Sequence, residues 1–125
     1  MTTLKVGIAS YDEMKALTLA VARGKRMLGA QEPRIWFTST ESFAKLLSAG
    51  NRDLLRVIAE KAPGSLDELA ALTGRKKSNL SRTLKTMANY GLVQLERGAR
   101  GRVSAKVLHD RIELELPLVN KEAAA

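Results

Sequence analysis

Residues 65–102, SLDELAALTGRKKSNLSRTLKTMANYGLVQLERGARGR, decide the fold. The spacing of Ser65 and Glu68 is that of a capping box, in which a serine side chain and a glutamate three residues later close the first turn of a helix. This pattern predicts a short helix of about eight residues, which Gly74 ends in a left-handed conformation. Its inward residues are predicted to be Leu66, Leu69, Ala70 and Leu72.

A second helix follows within a few residues of the first. We predict that Ser78 caps it, that it runs through Tyr90, and that Gly91 supplies the left-handed position after it. Leu80, Leu84 and Met87 recur at i, i+4 and i+7 and define the face that enters the core. The opposite face carries short polar and long cationic side chains and no acid: Asn79, Ser81, Arg82, Lys85, Thr86 and Asn89.

A β-hairpin completes the segment. Residues 92–97 (LVQLER) and 102–108 (RVSAKVL) have the composition of two strands, and the sequence GARG between them predicts a tight turn. Arginines flank the two turn glycines, at positions 97, 100 and 102. Glycine lets such a tip approach a duplex closely, where arginine can follow the backbone or enter a narrow minor groove.

One further helix precedes the segment. We predict that Asn51 caps it and that it ends at residues 62–64 (APG), with an apolar stripe of Leu54, Leu55, Ile58 and Ala59. The order is then helix, short helix, tight turn, helix and hairpin, which is the order of a winged helix-turn-helix over residues 49–108. The second helix of the turn would be the recognition helix and the hairpin the wing.

The flanking segments predict strands as well as helices. Residues 4–9 read as a strand, Ser10 with Glu13 as a capping box for a helix that closes at residues 23–24, and residues 24–33 as a connection. Residues 34–38 (RIWFT) read as a second strand, and Thr38 with Glu41 as a cap for a helix to about residue 48. Residues 109–125 would hold a last strand at 111–116 and a frayed tail from Asn120. The predicted class is α+β, mainly helical.

Positive charge is confined to one part of the chain. The chain has 21 basic and 13 acidic residues, and residues 75–106 hold nine of the basic residues but only one acid, Glu96. The net charge of this window is therefore +8, and the remaining 93 residues are neutral. A neutral scaffold with one cationic segment is typical of a surface that binds a polyanion. A plain solvated basic face is the alternative reading.

The predicted DNA contacts fall into three groups. Arg can bond guanine O6 and N7, Asn can bond adenine N6 and N7, and Ser or Thr can bond phosphates or bases. Free backbone N–H groups at the start of the recognition helix can also hold a phosphate. The groups are the recognition helix (Ser78, Asn79, Ser81, Arg82, Lys85, Thr86), the turn (Arg75, Lys76, Lys77) and the wing (Arg97, Arg100, Arg102).

The segment resembles the winged-helix cores of MarR-like and ArsR-like regulators. The resemblance rests on the serine-led recognition helix, the GLV that ends it and the glycine-arginine wing, over roughly residues 51–108. The whole chain, including WFTS at 36–39, is similar to small prokaryotic DNA-binding proteins often encoded beside TumE-like toxins. That similarity implies an antitoxin that represses its own genes. The strand-helix-strand start departs from the MarR-like pattern, so the ligand pocket and dimer mode of those proteins are not carried over.

Other residue patterns predict no chemistry. His109 is the only histidine and the chain has no cysteine, so we predict no metal site, no cofactor and no enzyme activity. Glu113 and Glu115 alternate with Ile112, Leu114 and Leu116, which indicates the solvated face of a strand. No apolar run reaches the ~18 residues of a membrane span, and the start lacks a leader pattern, so we expect a cytoplasmic protein without membrane contact.

These patterns predict a sequence-specific regulator that binds double-stranded DNA. We expect a transcriptional repressor that acts as a homodimer, because one helix reads only a few base pairs. Residues 1–48 and the last strand have apolar pattern beyond what a winged helix needs, and we expect them to form the dimer contact or a platform for a toxin. A winged helix that binds an acidic protein without reading DNA is the competing class.

Overall fold

A computed structural model describes residues 2–24, 33 and 35–119. Within them the chain is α+β, with five α-helices, one 3-10 turn, a three-stranded sheet and a two-stranded sheet. The predicted connection at residues 24–33 and the predicted tail from residue 120 lie almost wholly outside the described residues. The elements in chain order are β1 (Thr3–Ile8), α1 (Tyr11–Ala22), β2 (Ile35–Phe37), α2 (Thr40–Leu46), α3 (Ala49–Lys61), α4 (Leu66–Thr73), α5 (Lys77–Asn89), β3 (Val93–Arg97), the 3-10 turn (Ala99–Gly101), β4 (Val103–Val107) and β5 (Arg111–Glu115).

The first and last strands share one parallel sheet. β1 lies at its centre, with β2 on one side and β5 on the other. The register pairs Leu4 with Ile112 and Val6 with Leu114, so these four side chains lie on the same face. Leu4 and Val6 are buried in the core.

The opposite face of this sheet is covered at one point by the only tryptophan. Gly7 pairs with Trp36 in the register of β1 and β2. A Cβ atom added to Gly7 would lie 2.4 Å from Cζ3 of the Trp36 ring, closer than any real contact. The strand therefore needs glycine at position 7 because the indole ring lies against its backbone.

One core joins the sheet to the helices. Leu54 and Ile58 of α3 meet the inner faces of α4, α5 and the β3–β4 hairpin, in a cluster that also includes Val6 and Phe37. The Phe37 ring stacks on Tyr90, with centroids 4.1 Å apart, and meets Phe43 edge-on at 5.3 Å. The segments on either side of residue 48 therefore pack as one unit.

Three predicted helix caps are wrong. Ser39, not Thr38, caps α2 by accepting a hydrogen bond from the Ser42 N–H at 3.1 Å. Ser48, not Asn51, caps α3 by accepting a hydrogen bond from the Asn51 N–H at 3.2 Å, so α3 begins at Ala49, before the residue that was expected to cap it. The cap of α5 is Lys76, not Ser78, and its side chain makes no capping bond.

The other predicted caps are confirmed. Ser10 accepts from the Glu13 N–H at 3.2 Å. Ser65 accepts from the Glu68 N–H at 3.1 Å, and the Glu68 carboxylate accepts from the Gly64 N–H at 2.8 Å. Gly74 and Gly91 have the expected positive φ angles of 74° and 76°.

Two residues predicted to face inward are exposed instead. They are Ala59 on α3 and Leu72 on α4. At 3.6 residues per turn, each lies roughly a third of a turn from the centre of its helix's buried face. Leu54 with Ile58, and Leu66 with Leu69, are buried as expected.

Candidate nucleic-acid interface

Helix α5 has one buried face and one exposed face. Leu80, Leu84 and Met87 are at most 1% exposed and fix the orientation of the helix in the core, as predicted. Ser81 was predicted to face outward and is half-buried, because it lies at the border of the buried face. The exposed face carries Ser78, Asn79, Arg82, Lys85, Thr86 and Asn89.

The two cations of this exposed face have no acidic partner among the residues that the structure describes. Helix α5 itself contains no acid, so no i, i+4 pair forms along it. The Thr86 hydroxyl donates to the backbone carbonyl of Arg82 at 3.2 Å. That bond uses the Thr86 donor within the helix, whereas the Arg82 and Lys85 side chains extend into solvent.

The N-terminus of α5 lacks the side-chain cap that the other helices have. A serine hydroxyl caps each of α1 to α4, whereas Lys76 offers no acceptor to the first-turn N–H groups of α5. Ser78 lies in this first turn and is exposed. The free N–H groups and the positive end of the helix dipole favour an anion here.

The predicted turn residues divide in their roles. Arg75 is half-buried, and its Nη1 donates to the Asn51 side-chain oxygen at 3.0 Å, while the Asn51 amide donates to the Leu46 carbonyl at 2.9 Å. Arg75 therefore ties the turn to the start of α3. Lys77 lies 3.2 Å from the Asp67 carboxylate in an exposed ion pair, and Lys76 remains exposed at the cap.

The hairpin tip presents three exposed arginines. β3 and β4 pair from Val93 with Val107 to Arg97 with Val103. Beyond that pair, the Gly98 N–H donates to the Arg102 carbonyl at 2.7 Å, and a 3-10 turn reverses the chain. Arg100 has φ 60° and ψ 28°, the left-handed region that a non-glycine residue rarely occupies.

We use the term cationic surface for the exposed cations of α5, its N-cap residue and the hairpin tip that have no acidic partner among the described residues. Lys77 and Lys106 are excluded because they pair with Asp67 at 3.2 Å and with Glu96 at 3.5 Å. Arg75 is excluded because it is half-buried and donates a hydrogen bond to Asn51. Its members are Lys76, Arg82, Lys85, Arg97, Arg100 and Arg102.

The remaining candidate residues are occupied elsewhere. His109 Nδ1 lies 2.7 Å from the Thr2 hydroxyl. The pKa of the Glu113 carboxyl lies below its ordinary value because Lys5 donates a hydrogen bond to it and adds positive charge, with a smaller contribution from Arg111. Across the described ranges, no group of acidic or histidine side chains is arranged to hold a metal ion. No helix in these ranges is long and apolar enough to cross a membrane.

A family comparison covers the segment that carries this surface. The model of the HVO_A0114 family matches residues 46–114, more than half of the chain. This chain belongs to the HVO_A0114 family. The HVO_A0114 match runs from the last residue of α2 into β5, so it includes all of the cationic surface and leaves out β1, α1 and β2. No curated protein and no solved structure matches the chain.

Sequence reasoning missed one residue of this site. The Asn51–Arg75 bond joins positions 24 residues apart, and no local pattern indicates it. The one indication is that Asn51, a residue type that strongly favours capping positions, does not cap α3 as expected. Asn51 is thus a positioning residue for the turn between α4 and α5.

Proposed function

We propose that this member of the HVO_A0114 family is a winged helix-turn-helix protein that binds double-stranded DNA. In this proposal α4 and α5 form the helix-turn-helix, α5 is the recognition helix and the β3–β4 hairpin is the wing. The observation that carries the proposal is the cationic surface. Six cations without acidic partners among the described residues are exposed on α5, at its N-cap and at the tip of the hairpin that follows it in the chain.

The residue types on α5 fit the major groove. Arg82 has the planar fork that bonds guanine at O6 and N7, and Asn79 has the amide that bonds adenine at N6 and N7. Both lie on the exposed side opposite Leu84. Lys85 and the uncapped N-terminus supply phosphate contacts, which position the helix without reading sequence.

The backbone of the hairpin tip adds independent support. A left-handed conformation costs a residue with a Cβ atom about 1–2 kcal/mol, and glycine avoids that cost. The chain nevertheless has arginine at position 100, with φ 60°. Strained residues concentrate at binding sites, and here the strained residue extends a cation from the tip of the proposed wing.

Regulation of transcription follows from the same proposal. A protein bound across a promoter excludes the polymerase from it, and we propose this repression as the action of the protein. The similarity to proteins encoded beside TumE-like toxins extends the proposal to an antitoxin that represses its own genes. A toxin reading frame next to this gene would support that extension, and its absence would leave a free-standing repressor.

The test compares two exposed arginines on different helices. Binding of the protein to a duplex from its own upstream region is measured by fluorescence anisotropy, with a scrambled duplex alongside. Arg82→Ala is expected to weaken specific binding by about 1–3 kcal/mol and to relax the preference at one base position. Arg56→Ala is the matched control, because Arg56 lies on α3, is exposed, and pairs with Asp53 of the same helix at 3.3 Å.

Three outcomes separate the alternatives. Loss of specific binding with Arg82→Ala and full binding with Arg56→Ala support the proposal. Equal loss on all duplexes gives Arg82 a phosphate contact instead of a base contact. No binding of the wild-type protein above the scrambled duplex overturns sequence-specific DNA binding and favours an acidic protein as the partner.

A further inference from the structure

We propose that a second copy of this chain pairs with the free edge of β5 and extends the three-stranded sheet to six strands. β5 is an edge strand in the described structure, since β1 is its only hydrogen-bonded neighbour there. An exposed edge leaves a row of backbone N–H and C=O groups ready to pair with another strand. This inference does not depend on DNA binding.

The C-terminal end of β5 and the residues that follow it expose apolar side chains. Leu114, Leu116 and Leu118 are 38%, 47% and 93% exposed. Natural edge strands are commonly protected by charged side chains, a proline or a bulge within the strand. β5, with the sequence RIELE, has no proline or bulge over its five residues, and its three charged side chains are of both signs.

The sequence of β5 is complementary to itself in the antiparallel direction. When the two strands are centred on Glu113, Arg111 of each copy lies opposite Glu115 of the other, and Ile112 lies opposite Leu114. Directly opposed side chains of antiparallel strands are close enough to interact, and opposite charges there are favourable. The pairing therefore has two ion pairs on one face and two apolar pairs on the other.

Only the central position brings like charges together, and each copy already balances that charge. Glu113 lies 2.5 Å from the Lys5 amine and 3.0 Å from the Arg111 guanidinium within its own chain. In the dimer, the two Glu113 carboxylates are therefore accompanied by four cations, which are Lys5 and Arg111 of each copy. Sliding one strand by two residues toward the C-terminus would instead place Glu113 opposite Glu115 twice, so the charges disfavour that register. Sliding it by two residues the other way would place Arg111 opposite Glu113, so charge alone leaves two registers, which differ in the distance between the two copies of Glu113.

A groove beside β5 accommodates the end of the second strand. The groove has a volume of about 860 Å³ and is lined on its apolar side by Phe43, Leu47, Leu55, Ile112 and Leu114. In the same register, Leu116 of the second copy lies opposite Asp110, which also lines the groove. Leu116 alternates onto the face of Ile112 and Leu114, so it enters the groove and its exposed surface becomes buried.

A charge-exchange experiment tests the pairing. Wild-type protein is expected to have twice the chain mass of 13.6 kDa by light scattering after size exclusion. Arg111→Glu places acids opposite acids, and Glu115→Arg places arginines opposite arginines, so each variant alone is expected to be monomeric. An equimolar mixture of the two restores both ion pairs and is expected to form a dimer. Glu60→Arg, on the exposed face of α3, is the matched control and stays dimeric.

A cross-link then tests the register. The chain has no cysteine, so Glu113→Cys introduces a single thiol that faces its own copy across the two-fold axis. Opposed Cα atoms lie about 4.5–5.5 Å apart, within the range of a disulfide. Mild oxidation is expected to give a covalent dimer. Glu60→Cys is the control, since Glu60 is exposed on α3 and lies outside the paired strands.

The outcomes decide the proposal. A monomeric wild-type protein overturns it. A wild-type dimer that both single charge variants retain also overturns it, because the contact would then lie elsewhere. So does a dimer in which Glu113→Cys does not cross-link, or in which Glu60→Cys cross-links as well as Glu113→Cys.

Discussion

The cationic surface and the β1–β5 strand pair differ in how they treat charge. On the strand pair, Lys5, Glu113 and Arg111 lie in one cluster of ion pairs, with separations of 2.5 and 3.0 Å. On α5 and the hairpin tip, six cations have no acid beside them in the described structure. Leucines are exposed along the strand pair, whereas the cationic surface exposes polar and cationic groups.

This difference indicates two kinds of partner. Charges that are already paired gain little from a polyanion, and exposed leucines beside them gain from burial against protein. Cations without partners keep their full attraction for phosphate. In our two proposals, the cationic surface binds nucleic acid and the β5 edge binds another copy of the chain.

The largest expected effect tests whether the two regions fold as one unit. Phe37 of β2 is 1% exposed and stacks on Tyr90 after α5. Phe37→Ala is expected to lower the free energy of unfolding by about 3–5 kcal/mol because it opens a cavity where the sheet meets the helices. Urea unfolding is followed both by Trp36 fluorescence, which reports the sheet, and by far-UV circular dichroism, which reports the helices.

Both signals are expected to shift together. Thr38→Ala is the control, since the exposed neighbour of Phe37 contributes no core packing, and its unfolding midpoint should match the wild type. A fluorescence transition that moves while the helical transition stays in place would contradict the shared core and separate the two regions.

A smaller effect is confined to the sheet. Gly7→Ala places a Cβ atom 2.4 Å from the Trp36 ring, so the ring must move. Overpacking of this kind costs about 1–3 kcal/mol, and the displaced indole should emit at longer wavelength. Gly64→Ala is the matched control, because its Cβ atom would make an ordinary 3.5 Å contact with the Glu68 carboxylate. Unchanged Trp36 emission in Gly7→Ala would contradict the packing of the ring on β1.

The smallest expected effect concerns the strained backbone of Arg100 at the hairpin tip. Arg100→Asn puts a residue that tolerates the left-handed region in place of a strained arginine. Its melting temperature is expected to be equal to or above that of the wild type, because relief of the strain is worth about 1 kcal/mol. Its affinity for DNA is expected to fall. A variant that loses stability and keeps its affinity would give Arg100 a structural role instead.

The sequence predicts the region around α5 well because its signals are local. The capping box at Ser65, the glycines at 74 and 91 and the i, i+4, i+7 spacing of Leu80, Leu84 and Met87 each act within one or two turns. Hairpin residues Val93 and Ala105 alternate into the core by the same local rule. Most of the predicted contact residues lie on this locally determined frame and are exposed.

The misplaced caps have a different origin. Several strong capping residues lie within a few positions of each helix start, and local preference does not choose among them. Ser48 caps α3, and the Asn51 side chain instead bonds the Leu46 carbonyl and Arg75. Such a choice depends on a contact 24 residues away, which no window of sequence around Asn51 contains.

The parallel sheet also depends on long-range pairing. Residues 4–9 and 111–116 each read as strands, but the pairing of Leu4 with Ile112 joins positions more than 100 residues apart. Apolar alternation gives each strand an inner face and does not name its neighbour. The groove beside β5 follows from that pairing and could not be located in advance.

The salt dependence of DNA binding shows whether the cationic surface neutralises phosphates. The affinity for the upstream duplex is measured over a range of salt concentrations, for the wild type and for Arg100→Asn. Each phosphate neutralised contributes about 0.9 to the slope of log K against log salt, so the six cations of the cationic surface predict a slope of up to about −5 per chain. Arg100→Asn is expected to reduce the steepness by about 0.9 if that arginine contacts a phosphate. A slope near zero in the wild type would contradict phosphate binding by this surface, whereas a steep slope that is the same in both proteins would exclude only the phosphate contact of Arg100.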